Sequence, residues 1–288
     1  MRYACIDRRR NLYPVRLMCR LLGVSASGYY AWRRRPESVR GQRDRELLGK
    51  IKRVHKASKG VYGSPRVHAE LVAEGVPVGR HKIAQLMRQA RLRGCPKRRY
   101  RATTQRDPSH PVADNLLKQD FTADRPNRRW AGDITYIPTR QGWLFLAVVM
   151  DLYSRRIVGW SMSRWSDRRL VVNALRMAVE ARQPAGRLIH HSDRGGQYSS
   201  DDFRNELARH GIDCSMSNTG NCYDNAVVES FFGVLKRERV IRVRYRNREE
   251  ARADLFEYIE VFYNRKRRHG YLGNISPADF ERQSAGSF

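Results

Sequence analysis

Three acidic residues stand in segments that are otherwise apolar. Asp133 lies within Trp130–Tyr136, and Asp193 follows a short apolar run. Glu229 stands near the start of a helical run, and 35 residues separate it from Asp193. A buried carboxylate costs on the order of several kcal/mol unless it is paired or bound to a metal. Each acid alone is most simply a helix cap or half of an ion pair, so it is the set of three that favours a site.

Together, the three carboxylates predict a site for divalent metal ions. Hard oxygen ligands select Mg²⁺, with Mn²⁺ as a substitute, and Mg²⁺ takes only one or two carboxylates per ion. Three acids can therefore hold two ions roughly 3.5–4 Å apart, which clamp the attacking and leaving oxygens of a displacement at phosphorus. We expect Asp133, Asp193 and Glu229 to be both catalytic and metal-binding.

The helical run around Glu229 has two distinct stripes. At 100° per residue one face is apolar and typical of a core contact. Glu229 and Lys236 lie on a second stripe together with Asn225 and Phe232. Lys236, two turns beyond the acid, is placed to meet a phosphate backbone, and we expect Asn225 to contact the same DNA. The simpler alternative is that Glu229 and Lys236 form an ordinary ion pair on the helix surface.

This pattern of two aspartates, a 35-residue gap, a glutamate and a lysine seven residues later resembles a known catalytic core. It is shared by retroviral integrases and bacterial insertion-sequence transposases. Three further stretches resemble the transposase group whose enzyme is encoded in two overlapping frames: Asp120–Asn127, Gly142–Val149 and Tyr263–His269. The chain looks like the second-frame product, and the match runs from about Met1 to Phe280. The resemblance implies that the three acids are the metal-binding triad and that Lys236 contacts the DNA end.

The composition independently predicts a polyanionic partner. The chain has 57 Lys and Arg residues against 29 Asp and Glu, a net charge of +28 and an isoelectric point near 10.8, which is typical of nucleic-acid binding. No run of 18 apolar residues and no signal-peptide core is found, so we expect no membrane partner and a location in the bacterial cytoplasm, with the nucleoid. The five cysteines and eight histidines lack zinc-site spacing, unlike the zinc module of retroviral integrases.

Two helix-turn-helix patterns precede the acids. The first spans Pro14–Trp32, with a break at Gly23 and a possible N-cap at Ser25. The second starts with Ser64 as N-cap and Pro65 at the first helical position. Its second helix presents polar residues as a recognition helix would, and those expected to contact DNA are Arg80, Lys82, Gln85 and Arg88. A plain helical hairpin with a solvated basic face is the alternative for both.

The remaining pattern predicts an α/β core. We expect strands at 129–138, 143–151, 156–161, 188–192 and 212–216, with helices at 169–183, 201–210 and 224–239. They form a mixed five-stranded sheet with flanking helices, which is also the ribonuclease-H-like fold that the resemblance implies. The expected segments are an N-terminal helical part at 1–55, a second helix-turn-helix module at 56–95, a basic linker at 96–120, the integrase-like core at 121–240 and a helical appendage at 241–288.

Two other titratable residues compete for a role in the site. Asp151 ends the second predicted strand in a segment with turn chemistry, so we interpret it as structural. His191 could serve as a general base, although two metal ions activate water without one.

The sequence therefore predicts a DNA transposase. Water attacks a phosphodiester at the element end, and the released 3′-hydroxyl attacks a second phosphodiester in target DNA, with no covalent enzyme intermediate. The partners are element-end DNA, target DNA and further copies of this chain in a homo-oligomer on DNA. Whether the chain acts alone or fused to a first-frame product stays open. The alternatives are a metal-dependent nuclease of the same fold, and a DNA-binding regulator of transposition without catalysis.

The excess of basic residues leads to a first prediction. DNA affinity should fall steeply with salt, because each phosphate contact contributes about −0.9 to the slope of log affinity against log salt concentration. Equilibrium binding of end-sequence DNA at a series of salt concentrations measures this slope. A flat plot would contradict an interface dominated by phosphate contacts.

Overall fold

A mixed five-stranded sheet forms the centre of the computed structural model, which describes residues 2–36, 38–96, 113–217 and 225–285. The strand order is β3-β2-β1-β4-β5, with β1, β2 and β3 antiparallel and with β4 parallel to both β1 and β5. This topology confirms the predicted ribonuclease-H-like fold, and each strand bound lies within two residues of its predicted position. The strands are β1 Arg129–Thr139, β2 Gly142–Asp151, β3 Ile157–Ser163, β4 Leu188–Ser192 and β5 Ile212–Met216.

The central strand β2 divides the core into two layers because its side chains alternate between the two faces of the sheet. Leu144, Leu146 and Val148 face one apolar cluster, and Ala147 and Val149 face the other. Helices α7 (Arg168–Arg182) and α8 (Asp201–Arg209) cover the second cluster. On the first lie α9 (Ala226–Glu238) and α10 (Arg248–Phe256), which continues as a π-helical segment, Glu257–Tyr263.

Strand β1 is longer than its neighbour β4. It pairs with β2 from Trp130 to Thr139, but with β4 only from Arg129 to Ala131. From Gly132 to Pro138, β1 therefore has an edge without a strand partner in the described ranges. Helix α9 contacts β1, and this geometry brings the α9 side chains to the segment of β1 that follows the β4 pairing.

In the part of the chain that the structure describes, six helices precede the sheet. The first three surround a small cluster of Ile6, Met18, Cys19 and Tyr29. Ser25 caps α3 as predicted, because its side chain accepts a hydrogen bond from the Gly28 amide at 2.9 Å. The six helices are α1 Arg2–Arg9, α2 Val15–Leu21, α3 Ala26–Arg34, α4 Val39–Ala57, α5 Ser64–Ala73 and α6 Arg80–Gln89. None of the described helices is long and apolar enough to cross a bilayer.

The structure divides this region differently from the sequence analysis. Ile51 and Val54 of α4 are buried in the same cluster as Val67 of α5 and Ile83 of α6, so α4 belongs with the second helix-turn-helix unit rather than with residues 1–55. The helix α5 is also capped one residue earlier than expected, by Gly63 instead of Ser64. Tertiary packing determines which unit α4 joins, and backbone conformation determines the residue at which α5 begins, a position that sequence patterns define only to within one or two residues.

The predicted linker is only partly testable, since residues 97–112 lie outside the described ranges. Its last part, 113–120, is not a tether but packs on the core. Leu117 is buried, and the Leu116 amide donates to Ser215 Oγ of β5 at 2.9 Å. The polar composition of this stretch led us to predict a linker and did not indicate that Leu117 is buried.

A buried ion pair joins α9 to the C-terminal appendage, which ends with α11 (Pro277–Ala285). Arg267 donates to Glu238, the last residue of α9, through Nε at 2.9 Å and Nη2 at 2.8 Å. The Tyr258 hydroxyl donates to the same carboxylate at 2.8 Å, and Arg66 of α5 lies 3.5 Å from it. A single carboxylate thus contacts the helix-turn-helix unit, the core and the appendage.

This arrangement predicts that Glu238→Ala is strongly destabilising. Removing one partner of a buried pair leaves the charge of Arg267 uncompensated, which costs about 3–5 kcal/mol. Urea denaturation measures the loss of unfolding free energy. The matched control is Glu249→Ala, because Glu249 pairs with Arg252 at 3.4 Å on the surface of α10 and such pairs contribute about 1 kcal/mol at most. Equal losses in the two variants would contradict the role assigned to Glu238.

Candidate active site

The three acids come from three elements that meet at one end of the sheet. Asp133 lies in β1, Asp193 directly follows β4, and Glu229 is in the first turn of α9. Because β1 and β4 are parallel with Ala131 opposite His191, extending the register by two residues places Asp133 level with Asp193. Asp133 faces the same side of the sheet as Val148, opposite it on β2, and α9 packs on that side.

The charges of the three acids act on one another. Burial raises the pKa of Asp133 well above its usual range, and the charges of Asp193 and Glu229 raise it further. Burial also raises the pKa of Asp193, and burial together with the charge of Asp193 raises the pKa of Glu229. The structure therefore brings together the three acids that the sequence singled out. The charge of Lys236 opposes the upward shift of the Asp133 pKa only in part, and a divalent cation would supply further compensating charge.

Two of the three carboxylates are turned toward backbone amides. Asp133 Oδ1 accepts a hydrogen bond from the Ile134 amide at 2.7 Å, and Asp193 Oδ1 accepts one from the Gly195 amide at 3.0 Å. Across the described part of the chain, no three histidine, cysteine or acidic side chains are already grouped to hold one ion. Coordination would require these side chains to rotate toward the ion. The donor set itself, three carboxylates, fits Mg²⁺ or Mn²⁺.

Lys236 lies two turns beyond Glu229 and is partly exposed. Burial lowers the pKa of its ammonium group, and the charge of Asp133 opposes this shift. The ammonium Nζ also stands 4.6 Å from the centre of the Tyr136 ring. Lys236 is thus close to both the acid in β1 and the surface beside it, and its contact with a DNA end stays a prediction.

Asn225 has a partner inside the protein. It is only 6% exposed, and its side-chain Nδ2 donates to the carbonyl oxygen of Gly132 at 3.1 Å. This bond joins the N-terminal end of α9 to β1, one residue before Asp133. The stripe pattern of the sequence led us to expect a DNA contact, which remains a prediction, and it gave no sign of the buried bond to β1.

The four residues predicted to contact DNA from the second helix-turn-helix unit all lie on α6. Arg80, Gln85 and Arg88 are exposed. Lys82 instead forms an ion pair with Asp44 of α4, with Nζ and Oδ2 2.6 Å apart. The structure therefore leaves three of the four side chains pointing to solvent and engages the fourth in contact with α4.

His190 and Tyr198 lie against Gly132, on the face of β1 opposite the Asp133 side chain. Both are buried, and the sequence analysis did not consider either. The ring of His190 packs against Tyr198 and Phe203. A Cβ atom at Gly132 would stand 2.9 Å from His190 Nε2 and 3.3 Å from the Tyr198 hydroxyl oxygen, so only glycine allows both side chains to approach β1 this closely. The available signal was the position of Tyr198 in the same polar stretch as Asp193.

Both of these side chains have perturbed pKa values. Burial, with a smaller contribution from His191, lowers the pKa of His190 to about 3, and neither ring nitrogen has a hydrogen-bond partner among the described residues. Burial raises the pKa of Tyr198 well above its usual range, and the charges of Asp133 and Asp193 raise it further. The Tyr198 hydroxyl is therefore close enough to sense both acids.

The two competing residues have structural surroundings. His191 is fully buried, with Nδ1 2.9 Å from Ser215 Oγ and Nε2 3.2 Å from Ser217 Oγ. Asp151 is also fully buried and accepts hydrogen bonds from the backbone amides of Asn127, just before β1, and of Tyr153, just after β2, at the same end of the β1–β2 pair. These contacts support the interpretation of Asp151 as structural and give His191 no opening to a substrate.

Comparisons with known proteins identify related chains over almost the whole length. Family models match an HTH-like domain at residues 42–100 and an integrase core domain at residues 123–222 and again at 229–285. The first of these begins within α4, in agreement with the packing of that helix. The chain is 43% identical to the transposase InsF for insertion sequence IS3A of Escherichia coli (strain K12), over 99% of both chains.

The comparisons also find two further similarities. The insertion element IS600 uncharacterized 31 kDa protein of Shigella sonnei is 46% identical over 92% of this chain and 98% of its own length. Among solved structures, a chain of the simian T-cell lymphotropic virus intasome in complex with PP2A regulatory subunit B56 gamma matches 80% of this chain and 74% of its own. The TM-score of that match is 0.47 at 13% sequence identity.

The buried His190 leads to a prediction about pH. Its folded pKa of about 3 lies below the unfolded value of about 6.5, so only the unfolded chain takes up this proton as the pH falls. The contribution of neutral His190 to the unfolding free energy is therefore fully present above about pH 6.5. It is lost progressively between about pH 6.5 and 3, and the loss reaches up to about 2 kcal/mol at pH 5.

Unfolding free energies measured near neutral pH and near pH 5 test this effect. His190→Gln should remove this part of the pH dependence, whereas His81→Gln, on the exposed side of α6, should leave it unchanged. If both variants lost stability on acidification as steeply as the unmodified protein, His190 would not be the group responsible.

Proposed function

Because the chain belongs to the insertion-sequence transposase family that includes the transposase InsF of IS3, we propose that it performs DNA cleavage and strand joining at one acidic site. In the first step, the oxygen of water bonds to phosphorus at the element end, and the bond from phosphorus to the 3′-oxygen breaks. The freed 3′-hydroxyl then bonds to a phosphorus of target DNA, displacing a second 3′-oxygen. Each step exchanges one phosphodiester bond for another P–O bond and needs no redox partner.

The observation that carries this proposal is the convergence of Asp133, Asp193 and Glu229, each with a raised pKa. Repulsion among the three charged acids is unfavourable without a ligand, and a bound cation would compensate their charge. The three carboxylates would hold Mg²⁺ or Mn²⁺, two ions in this proposal, which would supply the positive charge that activates the attacking oxygen and stabilises the leaving oxygen. Lys236 would bind a phosphate oxygen of the DNA end.

The helix-turn-helix unit supplies end recognition in this proposal. Arg80, Gln85 and Arg88 point to solvent on α6 and read or position the duplex. The unit is docked to the appendage, where Arg268 pairs with Glu70 of α5 at 2.5 Å and the Tyr62 hydroxyl donates to the Lys266 carbonyl at 3.1 Å. The sequence-reading helix and the acids then act on one DNA end. Target DNA, other copies of this chain and a first-frame product complete the proposed set of partners.

The decisive experiment separates DNA binding from chemistry. Glu229→Gln, Asp133→Asn and Asp193→Asn keep the size of each side chain but remove the charge that holds a metal ion. Each should retain binding of element-end DNA and should lose both cleavage and joining by several orders of magnitude. Gel assays with labelled end DNA, target DNA and a series of Mg²⁺ concentrations measure all three activities.

A readout independent of catalysis accompanies this test. Because the folded protein raises the pKa of each acid, the charged forms destabilise it, and the amide variants should be more stable than the unmodified protein without metal. Mg²⁺ should raise the melting temperature of the unmodified protein and have less effect on the variants. The control Asp213→Asn alters an exposed acid of β5 that pairs with Arg187 and should change none of these properties.

The outcomes distinguish the alternatives. Cleaved but unjoined DNA would indicate a nuclease, and end binding without either product would indicate a regulator. Strand joining that survives in Glu229→Gln would show that the wrong carboxylates had been chosen.

A further inference from the structure

Two large aromatic side chains are exposed side by side on the β1–β2 hairpin. Tyr136 is 52% exposed and Trp143 is 51% exposed. Their ring centres are 4.9 Å apart in an edge-to-face contact. The register pairs Tyr136 with Phe145 and Pro138 with Trp143, so both rings lie on one face of the sheet as diagonal neighbours. We refer to this pair as the Tyr136–Trp143 platform.

A cation already stands against this platform. Nζ of Lys236 lies 4.6 Å from the centre of the Tyr136 ring, and the charge of Asp133 acts on the same ammonium group. Asp133 and Tyr136 point to opposite faces of β1, because they are three residues apart in a strand. Lys236 therefore reaches from the acids, around the edge of β1 that has no strand partner, to the exposed rings.

The chemistry of this surface favours nucleic acid over protein. Exposed ring faces beside an ammonium group match a planar base joined to a phosphate, and stacking of this kind accepts any base because every base has a π-face. The net charge of +28 attracts the same ligand. Where the element end is still joined to flanking DNA, every paired base is stacked on its neighbours and presents only its edges. Stacking on the rings there requires a base that has left its pair.

We propose that the Tyr136–Trp143 platform stacks an unpaired base at the DNA end while Lys236 binds the neighbouring phosphate. This inference rests on the proposed function, since it is that function which brings a DNA end to the acids. It adds a preference that the acids alone do not give: the protein binds an end whose terminal pairs are open more tightly than the same end fully paired. The platform would hold the strands apart so that the scissile phosphate reaches the carboxylates.

The test compares two DNA ends of the same sequence, one fully paired and one with unpaired terminal bases. Binding is measured without Mg²⁺, so that no cleavage occurs, with 2-aminopurine at an unpaired position as a fluorescent report of stacking. Tyr136→Leu and Trp143→Leu should each lower affinity for the open end about tenfold and abolish the fluorescence change, with less than about a twofold effect on the paired end.

Two controls keep the result interpretable. Tyr136→Phe retains the ring and the contact with Lys236, so it should bind like the unmodified protein and shows whether loss of the ring, rather than of the hydroxyl, is responsible. Tyr271→Leu removes an exposed ring of the appendage, whose centre stands 4.4 Å from the guanidinium carbon of Arg155. This variant should leave both affinities unchanged. Thermal melting of each variant excludes unfolding as the cause.

Equal affinity of the leucine variants and the unmodified protein for the open end would overturn the platform. Unchanged DNA affinity with weakened self-association would also overturn it, and would assign the rings to a contact between copies of the chain. Joining assays with the unmodified protein separate this result from the proposed function. Failure to join ends would count against the function, whereas joining combined with indifferent leucine variants would count against the platform alone.

Discussion

Burial of the Glu238–Arg267 pair holds the end of α9, the helix that carries both Glu229 and Lys236. Neither charge can leave water without the other, so the end of α9 must stay where the appendage supplies Arg267 and Tyr258. The same helix carries Glu229 in its first turn and Lys236 near its last. Arg66 brings the helix-turn-helix unit to the same carboxylate. The position of the third acid relative to β1 thus depends on an interaction formed at the opposite end of α9.

A second constraint opposes the first. The acids at the end of the sheet raise one another's pKa, which means that folding without metal works against like charges. The sheet register, the bond from Asn225 to Gly132 and the buried pair at the far end of α9 hold the acids together in spite of this repulsion. A site that is unfavourable in isolation becomes favourable when its ligand binds, and the surrounding packing provides the stability that this arrangement requires.

Much of the fold and of the candidate site could be predicted from the sequence, because local patterns of apolar and polar residues indicate the strands and helices. The apolar runs of β2 and β4 and the helical spacing around Glu229 predict the strands and α9 to within two residues, and the spacing of the acids predicts their convergence. Contacts between residues that are far apart in the chain could not be predicted from the sequence. Lys82 pairs with Asp44, Asn225 bonds to Gly132, and α4 packs with α5 and α6. Each depends on which faces meet, and periodicity indicates that a face is apolar or polar without indicating its partner. Tyr136 and Trp143 illustrate the same limit, since only the packed sheet shows that these aromatic residues remain exposed.

Contacts with the appendage, which lies far along the chain, hold the helix-turn-helix unit in place. Arg268 of the appendage donates to Glu70, which lies 198 residues earlier in the chain, and the Tyr62 hydroxyl donates to the carbonyl of Lys266, 204 residues later. The distance from α6 to the acids therefore depends on contacts between residues that are far apart in the sequence. The two docking contacts cannot vary independently of each other, and across related elements we expect them to change in concert with the end sequence that is bound.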